Sequence, residues 1–256
     1  MHFPVVFHVA GADIPAHLVF EGLGYLLGYG VHTRLRSRDG DDIPVETRWS
    51  LLAGAAVGAV AGAKLLGWLN HPLEAWAHRT DWAWLAGGKT IVGGLLGGHL
   101  GVAAVKRRLG ERRATGDLFV LPLCVGMAVG RVGCFLAGLP DHTCGNPTSL
   151  PWGVDFGDGI RRHPAQLYEV AALGGIAAWA WAARARVRLG TLERGDVFRG
   201  FMTLYLAFRL ALEAIKPEPR LVAGLCAIQL ACLGGLLYHA RVAPRLFAWT
   251  RSPAHG

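Results

Sequence analysis

The sequence predicts an all-α, polytopic membrane protein, and three observations carry that prediction. Hydrophobic residues make up 52% of the 256 and charged residues only 17%, with a mean hydropathy of +0.34, too apolar for an ordinary soluble domain. The apolar residues fall in blocks of about twenty, the length that carries an α-helix across roughly 30 Å of hydrocarbon. They lack the period-2 alternation of a membrane β-barrel strand.

In order, the blocks run over about 17–31, 51–69, 90–105, 118–138, 166–183, 197–215 and 221–238, seven transmembrane helices in a single domain over 1–256. The residues before the first block show no cleavable pattern of basic, apolar and small-residue regions, so the first block reads as a retained span. Basic residues then test the count. Arg34, Arg36, Arg38 and Arg48 lie between the first and second spans, Lys106, Arg107, Arg108, Arg112 and Arg113 between the third and fourth, and Arg184, Arg186, Arg188, Arg194 and Arg199 around the fifth-to-sixth connection. The alternate connections carry fewer: Arg79 and Lys89, then Arg161 and Arg162, then Lys216 and Arg220. The positive-inside rule places the N-terminus outside and the C-terminus, with Arg241, Arg245 and Arg251, in the cytoplasm.

The net charge of +8 sits in short clusters at the ends of apolar runs, where it marks topology, and nucleic-acid binding is excluded on that distribution. Five cysteines, Cys124, Cys134, Cys144, Cys226 and Cys232, show no CxxC or Cys/His spacing that holds a metal, so no metal or cofactor is expected. Most read as small apolar fillers; Cys134 and Cys144 pair only if both lie on an oxidising face. Glycines clustered in GAAVGAVAGAKLLG and VGGLLGGHLG let transmembrane backbones approach closely. Trp76, Trp82 and Trp84 after the second span mark a segment at headgroup level. The long connection 139–164, rich in Gly, Pro, Asp and Thr, is expected to fold over the outer mouth of a site, since irregular backbone near the bilayer needs protein or water around it.

Charges inside the spans point to that site. Arg131 lies between apolar runs, where a guanidinium costs roughly 2.5–3.5 kcal/mol to insert, so it should face a polar cavity or an anion. Arg209 and Glu213, four apart, read either as a self-satisfied ion pair or as a second guanidinium joining Arg131 on a lipid phosphate with Glu213 orienting it. Lys64 and Lys89 read as snorkelling lysines, with Glu21 a partner for either, and Lys216 reads as reaching the same headgroup or, the expected fate, as snorkelling to the interface. His99 reads as a satisfied interhelical histidine or a proton carrier, and His163 opens the fifth span in a basic, anion-suited setting.

At these residues the chain resembles the prolipoprotein diacylglyceryl transferase family. The match lies in GRVGCFLAG at 130–138, RHPAQLYE at 162–169, YLAFRLALEAIKPEP at 205–219, FEGLGY ending at Tyr25, and the order of spans. The resemblance implies a multi-pass enzyme of the bacterial cytoplasmic (inner) membrane. Such an enzyme moves the diacylglyceryl group of phosphatidylglycerol onto the lipobox cysteine of a preprolipoprotein, making a thioether and releasing glycerol phosphate. It implies catalytic roles for Arg131, Arg209 and Tyr25, and places Gly130, Cys134, Arg162, His163, Gln166, Tyr168, Glu169 and Glu213 in the substrate-binding set. The pattern departs at Val92, where the family usually has histidine, at Cys134, usually asparagine, and at Leu139, usually acidic. His99, seven residues past Val92 on roughly the same helical face, is the expected stand-in. The alternatives are a paralogue with a different thiol, amine or alcohol as acceptor, and a non-catalytic phospholipid-binding protein, which Val92 favours.

Overall fold

A computed structural model describes residues 2–9 and 11–240. The helices are α1 (Ala16–Asp39), α2 (Val45–Asn70), α3 (Pro72–Ala77), α4 (Trp82–Ala86), α5 (Ile91–Leu109), α6 (Val120–Ala137), α7 (Ala165–Arg188), α8 (Asp196–Leu212) and α9 (Ala227–His239). The all-α expectation holds, with an addition that helical periodicity does not reveal: two antiparallel hairpins, β1 (Val6–Val9) with β2 (Ala12–Pro15) and β3 (Val154–Asp155) with β4 (Arg161–Arg162).

Helix boundaries follow local chemistry. The Thr90 hydroxyl caps α5 by accepting from the Gly93 amide at 3.2 Å, and α5 stops where Gly110 turns left-handed at φ 67°, a conformation that glycine adopts without a Cβ clash. The expected seventh span is corrected at its start. Ala223 and Gly224 adopt positive φ, and the amides of Leu221 and Val222 both reach the Leu225 carbonyl, so the apolar stretch turns before α9 begins. The thirteen residues of α9 span only about 20 Å. Among the described residues two helices, Val45–Asn70 and Asp117–Ala137, the latter with its leading turn, are long and apolar enough to cross a membrane. The other long helices carry more charge at their ends or more polar residues within.

Packing divides the bundle. α2 and α5 run side by side in close contact; α1 packs on α6, α6 on α7, α7 on α8 and α8 on α9, which also touches α2 and α5. A Cβ on Gly58 would stand 2.3 Å from the Gly97 carbonyl oxygen and one on Gly97 2.2 Å from that of Gly58, so the α2–α5 backbones touch where only glycine fits. Val57, Val60 and Leu65 on the outer face of α2 are more than half exposed, the surface that lipid would cover. Phe201, Tyr205 and Leu206 of α8 fill the core with Leu173 and Ile176 of α7 and Cys232 of α9.

The bundle has two chemically different ends. At one, the loops with the basic clusters meet: Arg194 pairs with Asp42 at 3.0 Å, Arg113 donates to the Asp42 carbonyl, and Arg184 pairs with Asp39. At the other, Lys89 reaches Glu21 at 3.2 Å and Asn70 donates to Glu218 at 2.6 Å. The expected partnership of Glu21 is thus with Lys89, while Lys64 donates to the carbonyls of Ala86 and Gly87. Trp76 and Trp82 are exposed on the short helices α3 and α4. Arg241, Arg245 and Arg251 lie outside the described residues.

Candidate active site

At the second end, three helices aim charges at one buried point. Glu169, in the first turns of α7, is the hub: its Oε2 stands 2.9 Å from Arg131 Nε of α6 and 2.8 Å from Arg209 Nη1 of α8. The Tyr205 hydroxyl donates to its Oε1 at 2.6 Å. Tyr205, Arg209 and Glu213 recur every four residues, so one face of α8 and its 3₁₀ extension Glu213–Ile215 presents all three inward. Arg209 also donates to Glu213, and Lys216 lies 3.6 Å from Glu213 and 3.0 Å from Glu218. Desolvating such groups costs several kcal/mol each, and only the mutual pairing makes the cluster tolerable at this depth.

The connection from 139 to 164 folds against this cluster. The Asn146 amide donates to the Ile215 carbonyl at 2.8 Å, and Gly145 and His163 exchange backbone hydrogen bonds with the His163 and Asn146 carbonyls. That brings Thr143 over α7, where its hydroxyl accepts from Gln166 Nε2 at 3.0 Å and donates to Asp141 at 2.5 Å. The resulting narrow cleft is lined by Arg131, Thr143, Gln166, Glu169, Arg209 and Lys216, with Ala165 and Leu212. Its lining holds three cations and one carboxylate. Gln166 Oε1 and Arg209 Nε there have no hydrogen-bond partner among the described residues.

Beside Arg131 a second polar group gathers. Arg131 Nη1 donates to Cys134 Sγ at 3.7 Å. His17, at the start of α1, places Nδ1 3.2 Å from Asp141 and Nε2 3.6 Å from Glu21. One donor atom each from His17, Cys134 and Asp141 lies within 4.8 Å of the others. Cys134 and Cys144 are both free thiols.

The structure brings together Arg131, Arg209, Glu169, Glu213 and Gln166 among the residues expected from the sequence, with Cys134 adjoining. Lys216 is a correction: it is buried and ion-paired in the cleft, because two carboxylates hold it more strongly than an interface could. His99 is a second. Its ring packs on Phe198, Tyr238 and His239 at 5.6, 5.8 and 5.6 Å, and Phe198 stands about 16 Å from Arg209 along α8, so His99 belongs to the other end of the bundle. Tyr25 is 72% exposed on α1 and its hydroxyl donates to Glu21 at 3.3 Å, outside the cluster. Arg162 is engaged with both oxygens of Asp158 at 2.7 Å, and that hydrogen-bonded guanidinium holds Asp158 below the usual carboxylate range. His163 Nδ1 and Trp152 Nε1 both meet the Tyr168 hydroxyl, at 3.1 and 2.8 Å, bracing the loop against α7. A Cβ on Gly130 would meet nothing within 4 Å. Sequence reasoning missed Thr143, Asp141 and His17, whose positions depend on how the long connection folds, and Tyr205, for which the four-residue spacing to Arg209 was the available signal.

Fold and site together define a helical bundle built around a buried, arginine-centred polar cleft that opens at one end. A family model described as prolipoprotein diacylglyceryl transferase matches residues 4–242, and the chain belongs to that family. Similar proteins named phosphatidylglycerol–prolipoprotein diacylglyceryl transferase occur in Bordetella bronchiseptica, 32% identical over 90% of each chain. Those of Cupriavidus necator and Geobacter sulfurreducens are 31% and 30% identical, covering 99% and 88% of this chain and 95% and 85% of theirs.

Proposed function

We propose that this protein is a phosphatidylglycerol-dependent diacylglyceryl transferase whose acceptor is the lipobox cysteine thiol of a preprolipoprotein. The observation that carries it is the cleft in which Arg131 and Arg209, from separate helices, meet around a single carboxylate with Lys216 alongside, in a chain of this family. The cleft is lined by two guanidiniums and an ammonium whose charge Glu169, Glu213 and Glu218 balance, and guanidinium forks match phosphate oxygens bidentately. A headgroup phosphate entering the cleft competes with Glu169 for the same donors.

In the reaction the acceptor thiol gives up its proton to water, its sulfur attacks the glyceryl carbon, the carbon–oxygen bond to phosphate breaks, and glycerol phosphate leaves with the electron pair. Preorganised donors aimed at the oxygen that gains charge are the strongest contribution a protein can make to such a step. Arg131 and Arg209 take that role; Glu169, Tyr205 and Glu213 hold them in place; Gln166 and Thr143 close the cleft from the connection side.

The same reading gives the chain seven membrane spans in one domain over 1–256, in the bacterial inner membrane. The end where the basic loops converge faces the cytoplasm, and the N-terminus and connection 139–164 lie outside. Val92 is fully buried in the core, which favours a second reading in which the protein binds phospholipid without turning it over. One experiment separates the two: purified protein in phosphatidylglycerol vesicles with a lipobox peptide, following peptide mass and released glycerol phosphate. A diacylglyceryl mass gain that needs phosphatidylglycerol supports the transferase; lipid binding with unaltered peptide supports the second reading.

A further inference from the structure

Three donors of different chemistry converge beside the phosphate cleft: Cys134 Sγ accepts from Arg131 and Asp141 from Thr143, while His17 Nδ1 has no hydrogen-bond partner among the described residues. His17 comes from the first turn of α1, Cys134 from α6 one turn past Arg131, and Asp141 from the 3₁₀ turn Leu139–Asp141. One donor atom of each lies within 4.8 Å of the other two, and the imidazole and carboxylate are 3.2 Å apart. Around a tetrahedral zinc-class cation, bonds of about 2.0–2.3 Å place neighbouring N, O and S ligands roughly 3.3–3.7 Å from one another, so small side-chain rotations close the set. We propose that His17, Cys134 and Asp141 bind a zinc-class divalent cation whose fourth position takes the acceptor thiol.

The donor set selects the ion. Thiolate, imidazole and carboxylate together suit zinc better than magnesium or calcium, which take oxygen ligands. The charge also balances: ionised Cys134 and Asp141 neutralise a dication, while Glu169 already offsets the nearest guanidinium, Arg131. The surroundings orient the ligands. Asp141 is held by the Thr143 hydroxyl, and Glu21, itself tied to Lys89, stands 3.6 Å from His17 Nε2, so the imidazole's other nitrogen has a carboxylate partner of the kind that fixes metal-bound histidines.

Three protein ligands with an open fourth position is the pattern of a catalytic rather than a structural site. This role rests on the transferase reading. A coordinated thiol gives up its proton to water, becoming a thiolate. Its lone pair forms the new carbon–sulfur bond as the carbon–oxygen bond to phosphate breaks and the leaving pair stays on the phosphate held by Arg131 and Arg209. The metal changes no oxidation state, and no side-chain base is needed where the chain carries Val92. Since a free cysteine is only a few per cent thiolate at neutral pH, full ionisation raises the reactive fraction roughly 30-fold, partly offset by the lower nucleophilicity of a bound sulfur.

The test uses the full chain in phosphatidylglycerol nanodiscs, stripped with chelator and titrated with cobalt(II). The expected result is a sulfur-to-cobalt charge-transfer band saturating at one ion per chain, lost in Cys134→Ser and weakened in His17→Gln, and intensified when lipobox peptide adds a second thiolate. Circular dichroism and thermal melting confirm that both variants remain folded, and Asp141→Asn provides a third, independent ligand loss. Stripped protein should transfer about tenfold more slowly than zinc-loaded protein. A missing band, or one that persists in Cys134→Ser, overturns the site. A normal band with equal transfer rates in stripped and loaded protein overturns its role in the reaction. A normal band with no transfer in any metal state overturns the transferase reading instead and leaves the cation site standing.

Discussion

The α2–α5 pair and the α6–α7–α8 group are held together by opposite means. Between α2 and α5 the backbones touch: Gly54, Gly58 and Gly62 face Gly101, Gly97 and Gly93, and a Cβ on Gly54 would collide with the Val105 side chain and one on any of the others with a facing carbonyl oxygen. Between α6, α7 and α8 an apolar core is joined by a buried charge cluster, with Glu169 linking Arg131 to Arg209 and Tyr205 donating to the same carboxylate. The first arrangement leaves no room for a ligand and no group to act on one. The second gathers into one tight cluster the guanidiniums that would bind a small anion in place of Glu169, and the cohesion of that cluster depends on the same groups. Stability and chemistry are separate in one region and inseparable in the other.

That contrast is sharpest at the hub. Glu169→Ala leaves two guanidiniums buried without their shared partner, and breaking a buried pair in this way costs about 3–5 kcal/mol; thermal melting in detergent should fall steeply and diacylglyceryl transfer should vanish together. Tyr205→Phe removes one hydrogen bond to a charged acceptor, worth about 1.5–3 kcal/mol, and should slow transfer by roughly tenfold to a hundredfold with a smaller loss of melting temperature. Gly58→Ile in the other region forces a side chain against the Gly97 backbone at a cost of about 1–3 kcal/mol. It should reduce the yield of folded protein while transfer per folded molecule stays unchanged. If Gly58→Ile instead altered the rate of the folded fraction as much as Tyr205→Phe does, the separation of the two regions would be wrong.

Smaller effects sharpen the edges of the site. Arg162→Ala should change transfer by less than about fivefold, since the guanidinium is engaged with Asp158 on the hairpin and surface ion pairs contribute little. Glu218 is partly buried, which by itself raises its pKa, but Lys216 at 3.0 Å and the Asn70 hydrogen bond overcome that and hold the carboxyl below its ordinary 4.5. A lowered carboxylate stabilises the fold above the unfolded value and loses that contribution as pH falls through the folded one. Melting temperature should therefore be level from pH 7 to 5 and decline below about 4.5, with a shallower decline in Glu218→Gln.

What the sequence discloses follows the same division. Apolar runs coincide with the long helices of the described residues because length and composition are local properties, and the glycine-rich stretches marked faces that allow close backbone approach without saying which two would meet. Arg131 and Arg209 were conspicuous as charges among apolar neighbours. The start of α9 was not visible, because a turn at Ala223 and Gly224 interrupts an otherwise apolar stretch. Nor was the fate of Lys216, since snorkelling and ion pairing demand the same residue at a helix end, and only the positions of Glu213 and Glu218 decide between them. His17 and Asp141 lie 124 positions apart in sequence, and no periodicity relates them. His99 shares a helical face with Val92 yet reaches the opposite end of the bundle, because two turns of α5 carry it about 10 Å away from that position.

The central claim is that Arg131 and Arg209 act as one unit on one phosphate, and initial transfer rates of Arg131→Ala, Arg209→Ala and the double variant, each normalised to folded protein in phosphatidylglycerol vesicles, test it most directly. Removing one preorganised donor should cost on the order of 10²–10³ in rate, and groups that act together lose little more when both are gone. The account predicts that the double variant is about as slow as either single one. Two single losses that multiply in the double variant, or a single variant that transfers at the unaltered rate, would contradict it.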